Sequence, residues 1–398
     1  MVLWGRVKVN VIKLVSPFIQ KPIPVSYIGE GKIVKAAEIL YMNGVSKVLI
    51  VTDSAIKELG LLDSMLKAIE NKNIKTVIYE GVKPDPTFGI VDEAIEICRK
   101  EKCKAVIAVG GGSVIDTAKA VSISIANNKP PRKFVGMLKI KKRPLFLIAI
   151  PTTAGTGSEC TLAAVISDTD THKKSVIIDP KVVPMVAILD PDITLGLPLS
   201  ITANTGMDAL THALEAYVSR YATEETDSYA RIAIKVIYES LEESYKEPKN
   251  IKLRESMLVA SFYAGLAFTR TQVGYVHAFA HSVGGKYGVP HGLANAVILP
   301  HIMEYYKTKP MCEKRFASLA DIVGIKGENQ KVKSDRFVES IFGLNENLGI
   351  KDRLENFPKE GIDTILKMGF KEAHGTYPVP KYLNKKVARE ILSKVAMN

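Results

Sequence analysis

Residues 104–127 read KAVIAVGGGSVIDTAKAVSISIAN. The run AVIAV is apolar without alternation, the pattern of a strand buried on both faces of a parallel sheet. Three glycines end it, and SVIDTAKAVSISIAN then has helical length and spacing. Glycines at a strand-to-helix turn let the backbone approach an anion, and the helix start offers free N–H groups and a positive dipole end. Gly111, Gly112 and Ser113 are therefore candidates to cradle a pyrophosphate. The spacing is not GxGxxG, so a loop of another pattern is implied, with a plain tight turn as the alternative.

The same alternation extends outward. KVLIVTD (47–53) reads as a buried strand, SAIKELGLLDSMLKAIENK as one helix, KTVIYEG (75–81) as a strand, TFGIVDEAIEICRKEK as a helix, and PLFLIAIPTT (144–153) as a further strand. Strands alternating with helices imply a parallel sheet with helices on its faces. Right-handed crossovers place the strand C-terminal ends on one rim, where open α/β sheets bind ligands. A second loop, PTTAGTGSE at 151–159, leaves a strand toward that rim and is rich in small and hydroxyl residues. Two such loops together point to a nucleotide. Asp53 ends its strand where a carboxylate can accept from a ribose diol and repel a 2′-phosphate, which favours NAD over NADP. A helix N-cap is the competing use of Asp53.

From about Ile201 the strand signal fades and helical periodicity takes over to the terminus. The boundary falls near LGLPLSIT, at 195–205, giving an α/β domain over 1–200 and an all-helical domain over 201–398. The second half holds the metal-ligand candidates. TGMDALTHALE places Asp208 and His212 four apart on one helical face, and HAFAHSVGGKYGVPHG (277–292) does the same with His277 and His281. His291 follows two glycines and Pro290, so only a turn returns it to the other histidines. A divalent metal needs three or four ligands and an open position, so these five residues leave the ligand set open. His172, His301 and His374 lack such company. Phe262, Tyr263 and Phe268 suggest an apolar wall, with helix packing as their competing use.

The bulk numbers agree with a globular protein: 398 residues, 46% hydrophobic and 24% charged. The opening MVLWGRVKVNVIKLV alternates apolar and basic residues like a strand, and it lacks the apolar core and cleavage site of a signal peptide. No apolar run approaches the roughly 20 residues of a membrane helix. The four cysteines show no CxxC spacing, which fits a reducing, cytoplasmic setting. The net charge of +12 is spread over scattered lysines, with one cluster at LKIKKRP (138–144), and reads as solvated surface rather than a nucleic-acid stripe.

Taken together, GGGSVIDTAK, AIPTTAGTGSE, TGMDALTHALEAYVS and GYVHAFAHSVGGKYGVPHGLANA resemble the signature regions of the iron-containing (group III) metal-dependent alcohol dehydrogenases. The resemblance runs from about Ile23 to the mid-300s. It implies the dehydroquinate synthase-like architecture: an α/β dinucleotide-binding domain with a parallel sheet, an all-helical domain, and a metal in the cleft. Carried over by position, it implies Asp208, His212, His277 and His291 as ligands, and His281 as a histidine beside the metal that is not a ligand. For the cofactor it implies Asp53 and Asp85 at the adenosine, Gly112 and Ser113 at the pyrophosphate, Thr152, Thr153 and Thr156 in the second loop, and Lys174 at a ribose. Asp85 stands where relatives often have Asn, and Ala163 where some have a polar residue.

The expected reaction is reversible hydride transfer between NAD and a primary alcohol or diol, or its aldehyde or ketone. A divalent cation, iron(II) foremost and zinc as the alternative, would lower the pKa of the hydroxyl. His281 would carry the proton, because imidazole titrates near neutral pH. A homodimer is also expected. The competing expectations are an NADP-linked variant, a glycerol dehydrogenase-like enzyme or related reductase, and a non-catalytic nucleotide-binding scaffold.

Overall fold

A computed structural model describes residues 21–168 and 173–397. The N-terminal stretch expected as a strand, and His172, lie outside the described residues. The described residues form two compact units, one comprising 21–197 together with Lys249–Phe262, the other Pro198–Pro248 together with the chain from Tyr263.

The α/β unit is built on a six-stranded sheet. Its strands are β1 (Val25–Ile28), β2 (Lys47–Val51), β3 (Lys75–Tyr79), β4 (Ala105–Gly110), β6 (Phe146–Pro151) and β9 (Val186–Leu189). They run in the order β1-β9-β6-β4-β2-β3, and every pairing is parallel. β4 is buried along its whole length. Its residues alternate between two cores: Val106 and Ala108 pack with Leu49, Val51, Leu147 and Ala149, whereas Ile107 and Val109 pack with Val48, Ile50, Ile148 and Ile150. A strand apolar on both faces is what such a double cover requires.

Strand order reverses between β2 and β4, so the C-terminal ends of β2, β4 and β6 gather Asp53, Gly111–Ser113 and Thr152–Thr156 on one rim. Helix α5 (Gly112–Asn127) follows β4 directly. A smaller sheet of β5 (Gly136–Met137), β8 (Lys173–Ile178) and β7 (Ala163–Asp168), which the sequence did not lead us to expect, takes one strand from before the second loop and two from after it.

The single helix expected over SAIKELGLLDSMLKAIENK is two, α2 (Ser54–Glu58) and α3 (Asp63–Glu70). Gly60 sits between them at φ 67°, and the Leu61 N–H bonds back to the Ile56 carbonyl, closing the first helix. α1 (Lys35–Met42) and α4 (Phe88–Lys100) complete the helices of the sheet.

The second unit is helical: α6 (Leu199–Val218), α7 (Glu224–Lys246), the later part of α8 (Ile251–Thr271), α9 (Tyr275–Tyr287), α10 (His291–Tyr306), α11 (Pro310–Ile322), α12 (Gln330–Asn347), α13 (Ile362–Ala373) and α14 (Lys385–Val395). It is not purely helical, because β10 (Leu354–Pro358) pairs with β11 (Ala396–Met397). α10 contains Pro300, which cannot bond the Ala296 carbonyl. Asn345 of α12 donates to that carbonyl instead, at 2.7 Å. No helix among the described residues is long and apolar enough to cross a membrane.

Candidate functional site

In the helical unit, three helix segments bring the histidine candidates to one carboxylate. α6 carries Asp208 and His212, α9 carries His277 and His281, and His291 is the first residue of α10. The turn expected before His291 is built by Gly288, at φ 68°, and by Pro290 in the N-cap position. Gly292 lets α10 close on α6, since a Cβ there would stand 2.4 Å from the Asn204 carbonyl oxygen.

The result is compact. One ligating atom each from Asp208, His277 and His291 lies within 4.8 Å of the others. Asp208 Oδ1 is 3.7 Å from His277 Nε2 and 3.5 Å from His291 Nε2. His212 stands to the side, its Nδ1 3.9 Å from Asp208 Oδ2. Its ring lies between His277, 4.4 Å away by centroids, and Phe268, stacked at 4.0 Å. Phe268, expected as part of an apolar wall, thus covers one candidate ligand. Phe262 is buried, and Tyr263 packs near Tyr229 at 6.0 Å.

Each group in the cluster is fixed from behind. Glu215, seven residues after Asp208 on the same face of α6, accepts from the Gly274 and Val276 N–H groups at 2.7 and 2.8 Å, and from His277 Nδ1 at 2.7 Å. Burial pushes the Glu215 carboxyl up to about 7, against the pull of the backbone N–H groups of Gly274, Val276 and His277. Burial first, then the neighbouring imidazoles of His212, His291 and His281, hold His277 well below the ordinary histidine range and therefore neutral. Asn295 donates to Asp208 Oδ1 at 2.7 Å and lies 3.1 Å from His291 Nε2.

His277 therefore has its Nδ1–H committed to Glu215, while its Nε2 is buried with no hydrogen-bond partner among the described residues. A buried lone pair costs energy unless something binds it. One carboxylate and three imidazoles form a donor set that suits a borderline cation such as iron(II) or zinc.

His281 is held differently. Its Nδ1 lies 2.7 Å from Glu372 Oε1, and the Tyr377 hydroxyl donates to the same oxygen at 2.6 Å. Its ring stacks on His291 at 5.1 Å and is partly exposed. Glu372 lies 91 residues away, and no local pattern could have tied it to His281. Glu215 was not singled out from the sequence, although the helical face shared by positions 208, 212 and 215 carried the signal. His301 and His374 stand apart from the cluster: burial pushes His301 down to about 4, and His374 Nε2 meets the Tyr275 hydroxyl at 2.6 Å.

In the α/β unit the candidate loops touch each other. A Cβ on Gly112 would come within 2.9 Å of Thr156 Cγ2, and one on Gly111 within 3.4 Å of Thr153 Oγ1. Gly111 is the N-cap of α5, with Gly112 and Ser113 in its first turn, so their N–H groups belong to a helix start. The Thr152 N–H bonds the Gly110 carbonyl at 3.2 Å, which joins the second loop to the end of β4. Asp53 caps α2 through Oδ1, at 3.0 Å from the Ile56 N–H, so the N-cap use expected for it is realised. Asp85 and Lys174 meet in an ion pair at 2.8 Å. Asp85 has φ 53°, in the left-handed region that Asn and Asp tolerate better than other side-chain-bearing residues.

Comparison with known proteins covers nearly all of this architecture. Residues 24–191 match the family model described as iron-containing alcohol dehydrogenase, and residues 202–396 match that of the Fe-containing alcohol dehydrogenase family, C-terminal. Alcohol dehydrogenase 4 of Schizosaccharomyces pombe is 37% identical over 357 residues, 88% of this chain and 83% of that protein. The NAD-dependent methanol dehydrogenase of Bacillus methanolicus is 36% identical over 353 residues, 88% of this chain and 92% of that protein. Among solved structures, a 1,3-propanediol oxidoreductase superposes with a TM-score of 0.90 at 33% identity, covering 94% of this chain and 99% of its own.

Proposed function

The chain belongs to the iron-containing alcohol dehydrogenase family, and on that premise we propose that it transfers hydride reversibly between NAD and a primary alcohol or diol, or the matching aldehyde or ketone. The observation that carries the reading is the buried Nε2 of His277, without a hydrogen-bond partner among the described residues and turned by Glu215 into a lone pair beside Asp208 and His291. Asp208, His212, His277 and His291 are the residues that would hold a divalent cation, iron(II) foremost, with zinc as the alternative. Such a cation would lower the pKa of a substrate hydroxyl and stabilise the charge left on its oxygen.

The chain's own residues do the rest. Glu215 keeps His277 in one tautomer, and Asn295 keeps Asp208 from turning away. His281 donates Nδ1–H to Glu372, which leaves Nε2 to take up a proton, and its partial exposure lets that proton exchange with water. Gly111, Gly112 and Ser113 offer helix-start N–H groups to a pyrophosphate, with Thr152, Thr153 and Thr156 alongside. Asp53, at the end of β2, favours a ribose diol over a 2′-phosphate and hence NAD over NADP. Asp85 and Lys174 would meet the adenosine side and a ribose once their ion pair opens.

We also infer an α/β dinucleotide-binding domain over 1–200 with a catalytic domain over 201–398 that is helical apart from its β10–β11 pair, a homodimer, and a cytoplasmic setting. In support of the dimer, β1 is the edge of the sheet among the described residues, with Val25 and Ile28 exposed. In support of the reducing setting, all four cysteines are buried and none is joined in a disulfide. The test of the activity is NADH production from a panel of primary alcohols and diols, with iron or zinc added anaerobically. Oxidation of at least one is expected. No oxidation of any alcohol, with metal and NAD both bound, would leave a nucleotide-binding scaffold instead.

A further inference from the structure

Lys119 has no role in the reaction above, yet its side chain is entirely buried. Taking an ammonium out of water is costly, and burial accordingly lowers the Lys119 pKa. The compensation is specific. Nζ donates to Ser158 Oγ at 2.9 Å, Thr161 Oγ1 at 2.8 Å and the Ala163 carbonyl at 2.7 Å, and it faces Asp116 Oδ1 at 3.4 Å. Asp116, one helical turn earlier on α5, accepts from the Ser158 hydroxyl at 2.5 Å and from the Val165 N–H at 2.9 Å.

All these partners outside α5 lie in residues 158–165, where the second loop leaves for β7. The connection reaches back to the loop itself: the Ser158 N–H donates to Thr156 Oγ1 at 3.2 Å, and Thr156 rests on Gly112. A continuous path therefore runs from the body of α5 through Ser158 and Thr156 to the start of the same helix.

We propose that Lys119 and Asp116 are positioning residues: their buried pair sets the spacing between the glycine turn and the second loop, and so pre-forms the seat for the dinucleotide's pyrophosphate. Two loops that must each present donors to one diphosphate gain affinity when their separation is fixed beforehand. A pair serving stability alone could be replaced by apolar groups at little cost to ligand binding.

The inference rests on the nucleotide reading of these loops, and the experiment separates the two. NADH dissociation constants are measured by fluorescence titration of the metal-loaded full-length protein, with metal content and melting temperature recorded beside them. Lys119→Met is expected to weaken NADH about tenfold or more, with metal content unchanged. Ser158→Ala, which spares the ion pair but cuts the loop's two hydroxyl bonds to it, is expected to weaken NADH about fivefold with little change in melting temperature. A lowered melting temperature with NADH affinity within about twofold of wild type in the folded variants would overturn the positioning role. Should Lys119→Met not fold, Ser158→Ala decides alone, and unchanged affinity there overturns it. Wild-type protein that binds no NADH would instead remove the nucleotide reading itself.

Discussion

In the helical unit, the cluster around Asp208 is assembled from side chains, each fixed by another side chain: Glu215 behind His277, Asn295 behind Asp208, Phe268 against His212, Glu372 behind His281. In the α/β unit, the glycine turn offers backbone, and precision comes from a second loop pressed so close that Gly112 has no room for a methyl group. The first arrangement fixes the direction of lone pairs. The second fixes a gap between two loops. Damage should therefore be selective: truncations around Asp208 lose metal or proton transfer and spare nucleotide affinity, whereas added bulk at the glycine turn does the reverse.

The largest effect is expected at the histidines. His291→Ala should lose metal and turnover together, while His281→Ala should keep its metal and lose about 10²- to 10⁴-fold in turnover. Metal analysis of the purified variants beside steady-state rates decides this, and metal lost from the His281 variant with full occupancy in the His291 variant would reverse the assignment. Next comes Glu215→Gln, whose amide must turn an N–H toward one of three N–H donors. It should weaken zinc about 10- to 100-fold in a chelator competition, with NADH affinity unchanged. Loss of both affinities together would erase the contrast between the units. Gly112→Ala drives a methyl into Thr156 and should weaken NADH about tenfold at unchanged metal content, read by the same fluorescence titration. The smallest effect is expected for Asp53→Asn, which removes the charge that disfavours a 2′-phosphate. It should shift the NAD-to-NADP ratio of kcat/KM about fivefold toward NADP, and an unchanged ratio would confine Asp53 to capping α2.

The sequence revealed what burial and period determine. β4 and α5 were legible because a strand covered on both faces must be apolar throughout, and the strand-to-helix turn needs its glycines. The i, i+4 pairs on α6 and α9 were legible for the same reason of period, and Glu215 was within reach one turn further on. Other residues were hidden because their meaning is tertiary. Lysines scattered along a basic chain read as solvated surface, yet Lys119 is wholly buried by partners some forty residues away. Glu372 and Tyr377 lie in a region that carried no functional signal, and only the packing of α13 near α9 makes them neighbours of His281. The break at Gly60 was missed because the apolar spacing on either side continues through it as if one helix ran on.

The bond from Asn345 to the Ala296 carbonyl bears on the order in which the protein is made. α10 begins with His291 and carries a proline at its tenth position, and the hydrogen bond that Pro300 forfeits to the Ala296 carbonyl is supplied from 49 residues beyond Ala296. During synthesis Asp208, His212, His277 and His291 all emerge before the residue that completes the helix bearing the last of them, and Glu372 and Tyr377 emerge later still. Glu215, Phe268 and Asn295 emerge with the candidate ligands, but the groups that complete α10 and hold His281 come only afterwards, so the described geometry waits on residues made after every ligand.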